Sequence, residues 1–345
     1  MGGYLSVTSG CKTHIVYAIA AAMLLAIPTF VAAEDIHPIE GDHGPPVFGH
    51  KLIEVADGRL TVIVQPRPDS VSVEPQKIIR WLTAAADSIT TIYGHFPVEQ
   101  IAVSVIPVTP RLGETQPVPF GMVKRGPPVQ VEFFVNLDRP LKSFLTDWTA
   151  VHEFSHLMLP YIDREAAWLS EGIATYYQYV ALVRAGMINE QQAFSKFIAG
   201  LERGRQNTSG STSLQQDSRQ MREQQKFMRV YWSGMAFAMN LDVKLRQQSN
   251  NQKSLDAALL KFHHCCLPAD SPWSPNELIT RLDQLIETDL FSKNYYHYAN
   301  RQDFPNMTQL FVNLGVSTQN GITVIDEEAA SSSIRRAIMG SAEPL

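Results

Sequence analysis

The segment at residues 147–160 constrains this fold most, because it has the pattern of a helix and carries two histidines and a glutamate among apolar side chains. His152 and His156 are spaced i and i+4, so on an α-helix they lie on one face and can direct two imidazoles at one point. Glu153 lies about 100° around the helix from His152. The apolar neighbours predict that the helix is buried, and buried polar side chains are costly unless they have partners. The segment therefore predicts a buried polar site.

Two imidazoles on one helix face, with carboxylates nearby, are suited to a zinc ion. Zinc takes imidazole and carboxylate ligands, and a catalytic zinc site leaves one position for water. Glu153 would flank the ion and take a proton from the zinc-bound water. Glu171 stands in an otherwise apolar stretch on the next predicted helix, so we expect it to be the third ligand. The alternative for each residue is a solvated polar side chain, which fits an apolar segment poorly.

Two motifs in this part of the chain resemble those of the gluzincin metallopeptidases. Residues 152–156 read His-Glu-Phe-Ser-His, and residues 168–172 read Trp-Leu-Ser-Glu-Gly, a form similar to the aminopeptidase N and glycyl aminopeptidase families. In that clan the third zinc ligand is a glutamate on the following helix, at the position of Glu171. The resemblance implies a thermolysin-like α+β catalytic domain, one zinc ion per chain and hydrolysis of peptide bonds. The gap between the motifs is shorter than in those families, so the connection between the helices must be tight.

The resemblance continues downstream, at residues 230–234, 241–242 and 254–256. These segments are similar to the C-terminal part of glycyl aminopeptidase-like catalytic domains. In that family a tyrosine three positions before a glycine donates a hydrogen bond to the oxyanion of the tetrahedral intermediate, and Tyr231 has this position. A donor aimed at developing charge contributes strongly to acyl-transfer catalysis. The alternative is an aromatic side chain that only packs inside a buried helix.

One motif departs from the family pattern. The aminopeptidases carry a Gly-x-Met-Glu-like motif before the metal motif, and its glutamate binds the free α-amine of the substrate. Residues 121–124 of this chain read Gly-Met-Val-Lys, so an apolar and a basic residue stand in place of the carboxylate. We therefore expect a peptidase that does not require a free N-terminus and that can prefer internal bonds. The alternative is that Glu132, on the next predicted strand, binds the amine.

Two other classes of function stay open at this point. One is a catalytically inactive binding protein that retains the gluzincin fold, and the other is a zinc hydrolase that acts on a non-peptide bond. The intact set of His152, Glu153, His156 and Glu171 favours an enzyme, because a decayed one has no need to retain its base.

The run at residues 263–266, two histidines followed by two cysteines, is a second candidate for metal binding. Consecutive residues on a helix point about 100° apart, so the run by itself does not direct its side chains at one ion. We predict a helix end there, because metal-ligand pairs normally need a spacing such as C-x-x-C. A disulfide between the adjacent Cys265 and Cys266 is disfavoured by geometry, so no disulfide framework is expected.

The N-terminal segment, residues 1–33, is expected to be a signal peptide. Lys12 ends a weakly basic region, an apolar run follows at residues 15–31, and small residues precede a cleavage site after Ala33. The chain is therefore predicted to be exported, to the periplasm or the medium, and the alternative is an N-terminal membrane anchor. No other apolar run is long enough to span a bilayer. Basic residues are not clustered, which disfavours a nucleic-acid partner and leaves a peptide or protein substrate.

After the signal, the pattern predicts an α+β protein with a small β region, a mixed sheet and then a mostly helical half. We expect an N-terminal β region at 34–70, the zinc metallopeptidase domain at 71–305, and an extension at 306–345 with a small hairpin and a helix. A hairpin is predicted around Asp57-Gly58 and a helix from Pro75 to Gly94.

Further elements complete this expectation. Strands are predicted at 101–108 and 129–137, with proline-rich loops around Gly121. Residues 203–225 are polar and are predicted to be a loop or insertion. Long helices are expected at 221–247 and after the capping box that begins at Ser274.

Overall fold

We describe the protein from a computed structural model. The residues that it describes are 48–66, 74–109, 113–126, 128–269 and 271–340. The predicted signal peptide lies outside these residues, so export and cleavage after Ala33 stay predictions. Within the described ranges, none of the helices is both long enough and apolar enough to cross a membrane.

The N-terminal half is built on a mixed sheet that has five strands within the described residues. Its order is β1-β2-β3-β5-β4, with β2, β3 and β5 parallel and with β1 and β4 antiparallel at the two edges. Alternate residues of the three parallel strands β2, β3 and β5 are buried, as the two-residue period of a strand predicts. The strands are β1 Phe48–Val55, β2 Gly58–Val64, β3 Gln100–Pro107, β4 Phe120–Lys124 and β5 Gln130–Val135.

The hairpin and the first helix form as the sequence predicts. Gly58 pairs with Val55, so the turn consists of Ala56 and Asp57, one residue earlier than expected, and Asp57 has a φ of 57°. Helix α1 covers Pro75–Tyr93 and ends at Gly94, whose φ is 94°. It connects β2 to the parallel strand β3, a crossover that a tight turn cannot make.

Strand β4 was not expected, because the segment around Gly121 was predicted to be a proline-rich loop. The structure pairs Gly121 with Phe133 and Lys124 with Gln130, antiparallel to β5. The prediction was wrong because the residues on both sides of this segment are typical of turns, and the short strand forms only through its pairing with β5. This strand is the sheet edge that lies against the metal motif.

The second half is mostly helical, in agreement with the predicted α+β class. A small hairpin of β6 and β7 also forms around Asn320 and Gly321, as expected, with φ values of 50° and 78°. The helices are α2 Leu141–Leu145, α3 Thr149–Ser155, α4 Ala167–Arg184, α5 Glu190–Gln206, α6 Leu214–Arg219, α7 Phe227–Ser249, α8 Leu255–Cys266, α9 Pro275–Ile286, α10 Leu290–Ala299, α11 Thr308–Asn313 and α12 Ser332–Met339, and the late strands are β6 Val316–Gln319 and β7 Ile322–Ile325.

The polar stretch at 203–225 is more ordered than predicted. Helix α5 continues into it, and Ser213 begins α6 by accepting a hydrogen bond from the backbone N–H of Gln216. Asp217 is buried and lies 3.5 Å from Nε of the buried Arg229. The prediction of a loop was therefore wrong for α6, because its polar residues cap the helix and pair with a buried partner instead of facing water.

The end of α8 differs from the expectation in one respect. The helix ends at Cys266, as predicted, but Cys265 and Cys266 form a disulfide bond. The expectation that adjacency disfavours this bond was wrong. Leu267 leaves the helix with a φ of −120° and a ψ of 147°, so the bond joins the last two residues of α8.

Candidate metal centre

The histidine motif lies where α3 passes into a 3₁₀ turn, His156–Met158. Every residue of α3 is buried. His152 is 2% exposed and His156 is 9% exposed, so both imidazoles are withdrawn from bulk water. The prediction of a buried helix that carries polar side chains is confirmed.

Glu171 lies in the second turn of α4, which packs against α3. Its Oε2 atom is 3.3 Å from Nε2 of His152 and 3.4 Å from Nε2 of His156. One potential ligand atom from each of the three residues lies within 4.8 Å of the other two. A short 3₁₀ turn, Arg164–Ala166, leads into α4 and gives the tight connection that the short gap requires. The structure thus brings together the three residues that the sequence predicts as zinc ligands.

Two further side chains orient the imidazoles, and neither was predicted from the sequence. The Oε1 atom of Gln178 is 2.8 Å from Nδ1 of His152, and the Oγ atom of Ser170 is 3.0 Å from Nδ1 of His156. Histidines that bind metals almost always use their second ring nitrogen in this way, which fixes the ring orientation. Gln178 stands about two helical turns after Glu171 on α4. A polar residue at that spacing, in an apolar helix, is the signal that could have identified it.

The charges of this site fit a bound cation. The amide oxygen of Gln178 only accepts hydrogen bonds, so Nδ1 of His152 carries a proton. When this imidazole is neutral, its other nitrogen, Nε2, has a lone pair that faces Glu171. Burial raises the pKa of Glu171, but the imidazoles of His156 and His152 outweigh it and lower that pKa far below its usual value. Burial lowers the pKa of His152, yet Glu171 and Glu153 raise it overall. The cluster therefore stabilises positive charge, and its imidazole and carboxylate donors are those that zinc prefers.

Glu153 lies beside the two histidines and against strand β4. It is 8% exposed, and its carboxylate accepts a hydrogen bond from the backbone N–H of Val123. Burial raises the pKa of Glu153, and this effect prevails over the opposing effect of the two imidazoles. A Cβ atom on Gly121 would lie 2.8 Å from Cγ of Glu153, so the close approach of β4 requires glycine there. The edge strand thus positions the carboxylate.

Tyr231 reaches the site from α7. Its ring is parallel to the imidazole of His152, with 5.8 Å between ring centroids and 2° between planes, and its hydroxyl is hydrogen-bonded to Glu171. Burial raises the pKa of Tyr231 well above its usual value, and the carboxylates of Glu171 and Glu153 raise it further. The hydroxyl therefore stays protonated at neutral pH and remains a hydrogen-bond donor.

The contact between α4 and α7 explains why two glycines follow the functional residues. A Cβ atom on Gly172 would lie 2.2 Å from the backbone of Gly234, and one on Gly234 would lie 2.0 Å from the carbonyl oxygen of Trp168. No larger side chain fits at either position without moving backbone. This close crossing brings Glu171, next to the first glycine, beside Tyr231, one turn before the second.

A buried ionic network stabilises these helices behind the crossing. Asp242 accepts hydrogen bonds from the hydroxyl of Tyr176 at 2.8 Å and from Nε of Arg246 at 3.1 Å. Asp256 accepts from Arg184 at 2.9 Å and from Arg246 at 3.2 Å. Buried charges are tolerated when they are paired and hydrogen-bonded in this way. The downstream segments of the family resemblance therefore hold together the helices that carry Glu171 and Tyr231.

Two basic residues at the end of β4 have defined partners. The ammonium of Lys124 donates to Glu132 across the strand pair at 2.6 Å. Arg125 donates to the carbonyl oxygens of Leu159, at 2.7 Å, and of His156, which fastens the end of the metal motif to the loop after β4. The departure at Lys124 was visible in the sequence, whereas the role of Arg125 was not predicted from it.

Comparisons with known proteins show which family and which fold this chain resembles. The model of the M61 glycyl aminopeptidase family matches residues 160–254, which include Glu171 and Tyr231. A search of curated protein sequences gives no significant match.

Among solved structures, an aminopeptidase N family protein from Idiomarina loihiensis aligns with a TM-score of 0.60 and 15% identity, over 78% of this chain and 49% of that one. Yeast LTA4 hydrolase in complex with bestatin aligns with a TM-score of 0.51 and 14% identity, over 74% of this chain and 40% of that one. This chain therefore spans about half the length of the first of these proteins. At such identities the likeness concerns the fold.

The expected mixed sheet, helical half and family resemblance are thus confirmed. The chain has the fold of the gluzincin catalytic domains, and its segment 160–254 is similar to the M61 glycyl aminopeptidases.

Proposed function

We propose that this chain is a zinc metallopeptidase that hydrolyses peptide bonds. One observation carries the proposal. The side chains of His152, His156 and Glu171 converge in a buried site, and Glu153 lies beside them. These three residues would hold one zinc ion per chain. Zinc in such a site supplies Lewis-acid chemistry, which polarises the scissile carbonyl and makes a water molecule acidic.

Glu153 is proposed as the general base. Its carboxylate takes a proton from the attacking water and passes it to the leaving amine. The hydrogen bond from Val123 and the contact with Gly121 hold the carboxylate in one place.

Tyr231 is proposed as the donor that stabilises the oxyanion. Its hydroxyl is protonated and lies beside Glu171, so it can donate to an oxygen that develops negative charge near the metal ligands. To do so it exchanges its hydrogen bond to Glu171 for one to the oxyanion, and a donor positioned in this way lowers the barrier.

The edge strand favours a peptide over another class of substrate. β4 is the outermost strand of the described sheet and contacts the base, so an extended peptide can add to it as a further strand. A zinc hydrolase acting on a non-peptide bond would have no use for this edge. A binding protein without activity would have no use for Glu153.

We also propose that the substrate needs no free N-terminus. An α-amine is cationic near neutral pH, and burying it unpaired costs several kcal/mol. Lys124 stands where the aminopeptidases have a carboxylate, and it pairs with Glu132, the acidic residue that could otherwise bind the amine. A blocked or internal peptide bond avoids this cost.

Matched peptides with free and acetylated N-termini test both proposals. We expect hydrolysis of both, with a kcat/KM for the acetylated peptide at least equal to that for the free one. The Glu153→Gln variant, with zinc content measured in the same preparation, is the control for hydrolysis by this site. A strong loss of kcat/KM on acetylation would refute the second proposal only, and a Glu132→Gln variant would then show whether Glu132 binds the amine. Hydrolysis of neither peptide by the zinc-loaded protein, across a peptide library, would overturn the first.

A further inference from the structure

Arg125 is a cation that strand β4 places beside the metal motif. It follows the last residue of β4, and Val123, two residues before it, donates its backbone N–H to Glu153. Two residues of a strand span about 7 Å, so Arg125 lies a short distance along the edge strand from the base. Its guanidinium donates to the carbonyl oxygens of Leu159 and His156, at the end of the metal motif. Arg125 is therefore held in a defined place next to the site.

The charge of Arg125 has no acidic partner among the described residues. Both acceptors of its hydrogen bonds are neutral carbonyl oxygens, and within those ranges no carboxylate forms an ion pair with it. Two of the five N–H groups of a guanidinium are thereby used, and the others remain for a ligand. Arg125 is exposed, so a ligand can reach it from solvent. The protein thus orients this guanidinium and leaves its charge without a counter-charge.

The neighbouring charged residues differ from Arg125 in this respect. The ammonium of Lys124 donates to the carboxylate of Glu132 at 2.6 Å, so these two charges neutralise each other. Burial lowers the pKa of Arg125, and the carboxylate of Glu171 acts in the opposite direction, so the guanidinium is partly desolvated and within electrostatic reach of the metal site. The Oε2 atom of Glu171 is directed at the two imidazoles, however, and does not pair with the arginine. Partial desolvation strengthens the attraction between a cation and an anionic ligand.

We propose that Arg125 is a specificity-determining residue that binds a carboxylate of the substrate, so that the protein prefers acidic peptides. This inference rests on the proposed peptidase function and adds a substrate class to it. Guanidinium and carboxylate groups match in shape and form paired, charge-assisted hydrogen bonds.

The edge strand determines where this carboxylate lies in the substrate. A peptide that adds to β4 as a further strand runs past both Val123, which contacts the base, and Arg125. The carboxylate therefore belongs to an acidic side chain within a few residues of the scissile bond, or to a C-terminus that ends there. Both sources present the same chemistry to the guanidinium, and the experiment distinguishes them.

The test measures peptide binding to the full chain, as the zinc-loaded Glu153→Gln variant, so that bound peptides are not hydrolysed. In one arm, pools of short peptides blocked at both ends carry a single Glu, and matched pools carry Gln at the same position. In the other arm, pools with a free C-terminal carboxylate are compared with the same pools as C-terminal amides. We expect the acidic pool of at least one arm to bind about tenfold more tightly than its neutral match. The difference should decrease at high salt.

Further substitutions in the same background assign the preference to one residue. Arg125→Gln should remove it, and Arg125→Lys, which keeps the charge without the planar fork, should retain only part of it. Arg205→Gln removes the same charge from α5, where Arg205 pairs with Glu202, and should leave the preference unchanged. Because the preference is a ratio of two affinities, it stays measurable if the loss of the bonds to Leu159 and His156 weakens all binding.

Three results would overturn the proposal: acidic and neutral pools that bind equally in both arms, no binding of any pool, or an equal loss of preference in Arg205→Gln and Arg125→Gln. Hydrolysis of the same pools by the unmodified, zinc-loaded protein is recorded separately. An acid preference in binding without hydrolysis of any pool would refute the peptidase function and support Arg125 as the anion-binding residue. Hydrolysis without an acid preference would overturn the inference about Arg125 alone.

Discussion

The two histidine clusters of this protein differ in how the chain assembles them. In the first, His152 and His156 come from one helix and Glu171 from the next, and all three are buried or nearly so. In the second, His95 and His263 come from elements that are far apart in the sequence, and His264 is exposed.

The difference shows when a sequence motif can predict that side chains converge in the structure. The i and i+4 spacing predicts convergence because a helix repeats every 3.6 residues. The run at 263–266 carries no such geometry, and its histidines meet a third imidazole, that of His95, only because another element supplies it. Carboxylates also distinguish the clusters, since Glu153 and Glu171 give the first one a base and an anionic ligand. The following predictions test whether the first cluster is catalytic and whether the two are independent.

The largest effect is expected from Glu153→Gln. The amide removes the base while the three proposed ligands remain, so kcat should fall by about 10²–10⁴-fold or more, with zinc content unchanged. Measuring turnover and bound zinc on the same sample checks both parts. Turnover equal to that of the unmodified protein would exclude Glu153 as the base.

Replacing a proposed ligand of the first cluster should abolish zinc binding, and replacing a histidine of the second cluster should not. We expect His152→Ala to lose zinc during mild dialysis, because the variant keeps only two of the three proposed protein ligands. Metal analysis of this variant beside His264→Ala checks the assignment, since the latter should retain its zinc. Full zinc content in His152→Ala would remove this residue from the ligand set.

The glycine crossing between α4 and α7 supports the first cluster and should tolerate no side chain. Gly172→Ala places a Cβ atom 2.2 Å from the backbone of Gly234, so we expect a loss of about 3 kcal/mol in the free energy of unfolding, as for overpacked cores. Gly126→Ala, where a Cβ atom would meet nothing within 4 Å, is the control. Denaturant unfolding of both proteins measures the difference, and equal stabilities would contradict this account of the crossing.

The smallest effect should come from the residue that orients His152. We expect Gln178→Leu to weaken zinc binding by roughly 10–100-fold without removing a ligand. Thr175→Val on the same helix is a matched control, because it also removes a buried polar group, a hydroxyl without a partner among the described residues. Competition with a chelator measures both affinities. If zinc binding were weakened equally in both variants, the cause would be the loss of any buried polar group on α4, and not the orientation of the His152 imidazole by Gln178.

The sequence by itself determined the elements whose signals are local. The helix from Pro75 to Gly94 follows from proline and glycine at its ends, and the capping box at Ser274 begins α9 as expected. The spacing of His152 and His156, together with Glu171 in an apolar helix and in a motif that resembles that of the gluzincins, predicted which side chains converge. For the helix ends and the histidine pair, the physical reason lies within one or two turns of the chain.

Only the tertiary structure decided the features that depend on distant partners. Strand β4 exists because β5 pairs with it, and Gly121 is required because Glu153 approaches it. The orientation of His152 by Gln178 and the meeting of His95 with His263 are set by helix packing. No local periodicity encodes such contacts, because they arise only where the hydrophobic core brings separate elements together.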